Sequence, residues 1–356
     1  MYGTPHSLPN ITQRRVIICL AVPAVVAGCW LVHRVLHPRH YRVIILPSLG
    51  GDITIGRTIN DHGQIVGAAE TEDGDYHLVM WDQKRKLHDL GLSQKSAGRF
   101  YINNAGQIAG SIQDPNGDRR TFVRDPNGYM HWLPTFISVA GLNNKGQIAG
   151  TAKDADGVPR AFLWDRVGGL RDLGDRGGKE TRALAINDRG QVLGRGHTAT
   201  NHLELFLWDP NDGVKALEPP HLQDLNNNSY AVGWHSFGRN GTYLVTCRAD
   251  RGVTKLFKDE RVWDDVLAND ANQVVCRVTR HNRWERFSKR FFGPWQTYVL
   301  WDPNEGSISL DEQLSQRRRR HWSPSDLNNH GCIVATLFSR AGTKGQAVLM
   351  EPVEGR

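Results

Sequence analysis

Beyond residue 40 the apolar residues of this chain fall in short consecutive runs fenced by Asn, Asp and Gly. Gln64-Ile65-Val66, Gln147-Ile148-Ala149 and Ala161-Phe162-Leu163-Trp164 are examples. Runs that are apolar on successive residues predict strands buried on both faces of their sheet. The fences predict tight turns. Asn and Asp hydrogen-bond their own backbone, and Gly supplies the positive φ that closes a short hairpin with a bulge.

The fences recur in register. An Asn stands at Asn60, Asn103, Asn143, Asn187, Asn226, Asn269 and Asn328, and a small residue follows each by seven: Gly67, Gly110, Gly150, Gly194, Gly233, Cys276 and Ala335. Fourteen residues further come Trp81, Trp164 and Trp208, with Arg124 and Cys247 at the same offset. Turns such as Asp125-Pro126-Asn127-Gly128 and a short strand such as Leu170-Arg171-Asp172-Leu173-Gly174 complete each repeat. Each unit therefore predicts four strands, a to d, in about 40–45 residues, which is a propeller signature. The first strand, Tyr41 to Leu49, reads as a lone d. The last unit supplies a near Ser325, b near Ile333 and c near Val348, then stops. The expected fold is all-β, a seven-bladed β-propeller of four-stranded blades over residues 41–352, with the N-terminal strand closing the last blade. Closure would remove the exposed edges an open sheet leaves.

Three elements, Ala185-Ile186-Asn187-Asp188-Arg189-Gly190-Gln191-Val192-Leu193-Gly194, Ala161-Phe162-Leu163-Trp164-Asp165 and Asp172-Leu173-Gly174, carry a family resemblance. The pattern resembles the bacterial repeats called HAF, over roughly residues 41–352, plainly in the first four units and faintly in the last three. That resemblance implies an exported repeat domain and brings no catalytic residues. The dipeptides Trp81-Asp82, Trp164-Asp165, Trp208-Asp209 and Trp301-Asp302 are also similar to WD40 repeats, but the upstream Gly-His partner is missing in phase.

The N-terminus breaks the pattern. After a polar tail, residues 1–15, the run Val16 to Val32 carries no charge, and residues 16–36 predict a single hydrophobic helix serving as an uncleaved signal anchor. A removed signal peptide is the main rival, and then the protein would be secreted. Within that rival, Val26-Ala27-Gly28-Cys29 resembles a lipobox that would lipidate Cys29. A buried core helix is disfavoured because every other signal is β. Arg14 and Arg15 on one side face Arg34, Arg39 and Arg42 on the other, so the positive-inside count leaves orientation open. Placing the propeller outside the cytoplasm rests on the family resemblance.

Charge alters the picture in one region. The spacing from Cys276 to Trp301 is 25 residues where other units use 14. The excess holds Arg280, Arg283, Trp284, Arg286, Phe287, Lys289 and Arg290. A second expansion before the last unit holds Arg317, Arg318, Arg319 and Arg320. Residues 280–292 carry five basic side chains against one acidic, net +4, and the second cluster adds +4, so together they account for the chain's formal +7. Strands alternate in direction, so b–c loops and d–a connections emerge on one face, and the two clusters are expected on one rim. Arginines interleaved with aromatics suit phosphate, sulfate or carboxylate groups; the competing reading is a solvated charge run.

Enzyme signatures are missing. There is no Gly-x-Ser-x-Gly, His-Glu-x-x-His or Walker loop, and no cofactor motif. The acidic turns, such as Asp154-Ala155-Asp156-Gly157, read as Asx turns and not as calcium loops, since no closing Glu follows. No metal site is expected, and no Cys-x-x-Cys occurs. Cys247, Cys276 and Cys332 are expected as thiols, because strand geometry holds Cys276 and Cys332 beyond disulfide reach. These readings favour a membrane-anchored, non-catalytic binding module whose partner is an anionic polysaccharide, a lipid headgroup or a protein. A polysaccharide hydrolase or lyase with its site at the channel mouth is the alternative, and carboxylate, Tyr or His side chains converging there would favour it. A nucleic-acid binder comes third, since export argues against it.

Overall fold

The computed structural model describes residues 40–92, 98–113, 117, 119–133, 136–175, 177–218, 221–238, 242–259, 262–280, 295–314, 321–339 and 341–353. Tyr41–Pro352 form one compact unit; Met1–His40 with Val353–Arg356 form another, of which only His40 and Val353 are described. The apolar segment 16–36 and Cys29 lie outside the described residues, among which no helix is long and apolar enough to cross a membrane.

The described residues are built into strands, with one helical turn among them at Asp311–Leu314. After β1 (His40–Ile45) come β2 (Gly50–Ile59), β3 (Ile65–Thr71), β4 (Tyr76–Trp81) and β5 (Leu87–Asp89). They are followed by β6 (Arg99–Ile102), β7 (Ile108–Gln113), β8 (Arg119–Arg124) and β9 (Met130–Leu133). The next are β10 (Phe136–Leu142), β11 (Ile148–Lys153), β12 (Pro159–Asp165) and β13 (Gly169–Asp172), then β14 (Gly177–Ile186), β15 (Val192–Thr198), β16 (Leu203–Asp209) and β17 (Gly213–Leu217). Then β18 (Leu222–Leu225), β19 (Ala231–Ser236), β20 (Thr242–Arg248) and β21 (Gly252–Asp259) precede β22 (Val262–Ala268), β23 (Val274–Arg280), β24 (Trp295–Asp302) and β25 (Gly306–Ser309). The last are β26 (His321–Leu327), β27 (Ile333–Phe338) and β28 (Gly345–Val353).

Five antiparallel four-stranded sheets run β6–β9, β10–β13, β14–β17, β18–β21 and β22–β25, each in chain order. The remaining strands form an eight-stranded sheet, in which one parallel bridge, Ile53 opposite Gly345, joins β2–β5 to β26–β28. Strand β1 pairs with β28, and the Leu46 N–H donates to the Ala347 carbonyl at 3.0 Å. The start of the domain thus covers the edge that the C-terminal strand would otherwise expose. Across this seam Glu351 accepts from both Arg42 and Arg85.

Packing runs between units. Among the described residues seven apolar clusters each combine side chains of two consecutive units, the last joining Ile65, Val79 and Trp81 to Val334, Ala347, Leu349 and Leu46, which follows β1. The Trp marker has its role here. Trp81, opposite Ile65 in the ladder, is fully buried against the C-terminal unit, and its indole N–H donates to the Pro47 carbonyl at 2.9 Å. Trp208 packs likewise on the unit before it. Cys247 and Met350 hold the equivalent ladder positions in units where the Trp is replaced. The small residue at position +7 also has a physical cause: a Cβ on Gly67 would meet the Ile55 carbonyl oxygen at 2.0 Å.

No disulfide joins Cys247, Cys276 and Cys332. Cys276 lies near the start of β23, which continues to Arg280.

Candidate functional site

The site is set by the residues around each repeated Asn. Take the Asn as position 0. Its Oδ1 accepts the N–H of position +4 in all seven units, at 2.9–3.1 Å. Position +3 takes the left-handed conformation this turn needs, at φ 75° for Gly63, and keeps it as Ser229 (φ 62°) and Asn272 (φ 59°) where the Gly is lost. The Asn amide does more than the turn requires. Nδ2 of Asn60 donates to the Asn103 carbonyl. Asn103 donates to Asn143, and the series passes through Asn187, Asn226, Asn269 and Asn328 back to Asn60, every bond 2.9–3.1 Å. All seven side chains are buried.

A second ring lies beside the first. Each backbone N–H at position +1 donates to the side-chain Oδ1 at +1 of the next unit, through Asp61, Asn104, Asn144, Asp188, Asn227, Asp270 and Asn329, at 2.6–3.0 Å. The other carboxylate oxygen of each Asp takes two amides: Asp61 from Asn104 and Asn329, Asp188 from Asn144 and Asn227, Asp270 from Asn227 and Asn329. Burial pushes the Asp61 carboxyl up, but the donors from Asn104 and Asn329 outweigh it and hold it below the usual carboxylate range. Sequence reasoning assigned these residues to turns alone and missed that they also bind unit to unit.

The rings surround the narrow end of a channel. There a space of 170 Å³ is lined by positions −1 to +1 and by Asp326 at −2. It shares Ile102, Leu142, Ile186 and Asp326 with a wider chamber of 580 Å³ on the side where the innermost strands begin. Bulges shape that chamber. In five units the pairing of the innermost strand slips by one residue between positions −4 and −2, as at Gly56/Thr58 and Pro324/Asp326. The extra residue, Arg57, Ala140, Leu184, Gln223 or Ser325, lines the chamber with its −2 neighbour.

Position −2 carries the chemistry. Thr58 Oγ1 accepts the N–H of Ile102 in the next unit at 3.1 Å. Asp224 and Asp326 fill the same slot with carboxylates: Asp224 accepts from Ala268 and Leu225, both 2.8 Å, and Asp326 from Ile59 at 2.8 Å and Leu327 at 2.9 Å. Both keep some surface open to the chamber yet lie deep within the molecule. That enclosure pushes the Asp326 carboxyl up to about 7 against the pull of its two N–H donors, with the Asp224 and Asp61 charges adding to the rise. Burial raises Asp224 in the same way. Asp265, in the left-handed region at φ 74°, also lines the chamber, accepting from Tyr298 Oη at 2.9 Å with Arg277 at 3.6 Å.

The opposite charge gathers in the first two units. Arg57 and Arg99 both line the chamber, and Arg57 Nε donates to the Gly98 carbonyl at 3.0 Å. Burial lowers the Arg57 pKa, and the Arg99 charge lowers it further. Beside them burial raises the Tyr101 phenol, while Arg99 opposes that rise. Carboxylates, a tyrosine and arginines therefore line one open-mouthed chamber. Among the described residues no group of three or more His, Cys, Asp or Glu is placed to hold a metal ion.

The rim named by sequence is, Arg280 apart, not among the described residues: Arg283, Trp284, Arg286, Phe287, Lys289, Arg290 and Arg317–Arg320 all fall outside them. Of Arg280, the strand position opposite Trp295 is defined. The chamber residues did leave a signal. Aligned on the Asn, column −2 reads Thr58, Tyr101, Gly141, Ala185, Asp224, Leu267 and Asp326, and two carboxylates stand out at the end of apolar strands.

No protein-family model matches the chain, and no curated protein matches it significantly. Solved structures do resemble it. A puromycin hydrolase aligns with TM-score 0.50 and 14% identity, over 84% of this chain and 52% of its own. TolB from Acinetobacter baumannii aligns with TM-score 0.43 and 14% identity, over 89% of this chain and 97% of its own. At such identity the likeness speaks to fold alone, and the fold is that of a β-propeller.

Proposed function

We propose that the protein is a seven-bladed β-propeller that binds a ligand in the wide chamber of its channel. Seven closed Asn-to-Asn bonds and the pairing of β1 with β28 support the blade count, the eight-stranded sheet being two blades joined at a single bridge. The observation that carries the binding reading is the chamber itself. It has the volume of a small-molecule site, and its charged side chains vary from unit to unit, whereas the turn beside it repeats. A ring needed only for stability would have no use for that variation.

The setting is read from the sequence. In this reading the apolar segment 16–36 anchors the protein in a membrane, the propeller lies outside the cytoplasm, for which the HAF-type resemblance is the support, and the arginine clusters at 280–290 and 317–320 supply a second surface for anionic polysaccharide, lipid headgroup or protein. A glycan, lipid and nucleic-acid binding screen of the full-length protein, with and without Ser325→Trp to fill the chamber, tests the main reading. Binding that Ser325→Trp abolishes supports the chamber. Binding it leaves intact moves the site elsewhere, and replacing Arg317–Arg320 with Ser then asks whether that site is the rim, through loss of retention at rising salt.

One observation favours an enzyme as the second reading. Asp224, Asp326 and Tyr101 share the chamber, and burial raises all three, the condition that makes a carboxyl available as a general acid near neutral pH. Turnover of a polysaccharide by the wild type, lost in Asp326→Asn with binding retained, would establish it. Thr58 in the same slot shows that a structural role alone can fill the position.

A further inference from the structure

We propose that the chamber selects a zwitterion, a small molecule carrying an ammonium and a carboxylate as a dipeptide does, with its carboxylate at Arg57 and Arg99 and its ammonium at Asp224 and Asp326. This rests on reading the chamber as the ligand site. The order of units in the Asn ring fixes which walls face each other. Arg57 and Arg99 belong to the first and second units. Asp224, Asp265 and Asp326 belong to the fifth, sixth and seventh. Arg99 and Asp224 stand three units apart in a ring of seven, as far as such a ring allows, whereas Arg57 and Asp326 lie in adjoining units where the ring closes.

Each cluster is unfavourable by itself. Two guanidiniums share one wall, Arg57 half-buried and Arg99 more exposed, and the Arg99 charge bears on Arg57. Two carboxylates, held by backbone N–H donors, feel each other across the channel floor. Like charges drawn together cost free energy. A ligand bearing one charge would relieve one cluster and be repelled by the other. A ligand bearing both, separated along its length, relieves both. Planar guanidiniums are suited to a carboxylate through paired donors, and an ammonium offers three donors to the free lone pairs of the Asp carboxylates.

The test uses the full-length protein and three probes of nearly equal size: alanyl-alanine, its N-acetyl derivative and its C-terminal amide. Calorimetric titration at low salt should show alanyl-alanine binding at least tenfold more tightly than either blocked form. Arg99→Gln should remove the preference over the amide and keep the preference over the acetylated form; Asp224→Asn should do the reverse. Asn keeps an acceptor for Ala268, so this variant is expected to fold, and circular dichroism checks both. Equal binding of all three probes, blocked by Ser325→Trp, overturns the zwitterion and leaves the chamber standing. Binding of alanyl-alanine that Ser325→Trp does not reduce overturns the chamber as well. No binding of any probe overturns the zwitterion, and the chamber is then judged by the glycan and lipid screen.

Discussion

A single Asn in each unit does three jobs, and its stability contribution follows from them. Asn187 takes the N–H groups of Arg189 and Gln191 through Oδ1 and gives its amide hydrogens to Gln191 Oε1 and the Asn226 carbonyl. Asn187→Ala would leave several buried polar groups without partners, at roughly 1–3 kcal/mol each where water cannot replace the bond. We expect a loss of about 2–4 kcal/mol in urea denaturation, with the far-ultraviolet spectrum unchanged. A loss no larger than that of an exposed Asn, for example Asn211, would show the ring to be incidental. Asp326 makes the opposite kind of prediction. Its folded pKa is raised to about 7, above that of an unfolded carboxyl, so the native state holds a proton that the unfolded chain has released. Its contribution to stability is therefore full at low pH and lost as pH rises from roughly 4 through about 7. Asp326→Asn, which cannot ionise, should gain on the wild type across that window. A difference between the two that stays flat with pH would show that Asp326 ionises normally.

Elements were more legible in the sequence than the site was. Turn chemistry and strand runs recur with the repeat, so Asn60, Gly63, Gly67 and Trp81 could be read without coordinates. Their side chains act within a few residues or across one interface. The lone strand before Gly50 could be assigned to the C-terminal unit because that unit was one strand short. The chamber was hidden for a different reason. Arg57 and Ser325 reach it only because a bulge adds one residue before the turn, and a bulge leaves no mark in an apolar run. Charge counting drew attention to the arginine clusters, because a net charge is visible in composition and a cavity is not. The seam gives the element-scale prediction. Tyr41 and Leu46 are buried, and each such side chain contributes about 1.5–3 kcal/mol. Deleting residues 1–46 should lower the urea midpoint or drive aggregation through the bare edge of β28, and a peptide of residues 40–49 added in trans should restore it. An unchanged midpoint would mean that β28 needs no outer strand.

Closure distinguishes the whole molecule from a stack of repeats. In an open array each end unit has one neighbour and can fray alone. Here every unit meets two others, through an apolar cluster and through both rings of amides, and the link from Asn328 to Asn60 has the same form as the other six. Opening one unit breaks two interfaces, so partial unfolding recovers little chain entropy for the contacts it gives up. The ring should unfold as one. Cys247 and Cys276 report on this from neighbouring units, both buried, with burial raising the Cys247 thiol to about 11. Native thiols of this kind should resist alkylation. As urea rises, each should label along the same curve, resolved by peptide mass spectrometry and matched to the fluorescence transition. A lower midpoint for one cysteine would show its unit opening independently, and the closed network of hydrogen bonds would then define the channel without coupling the units around it.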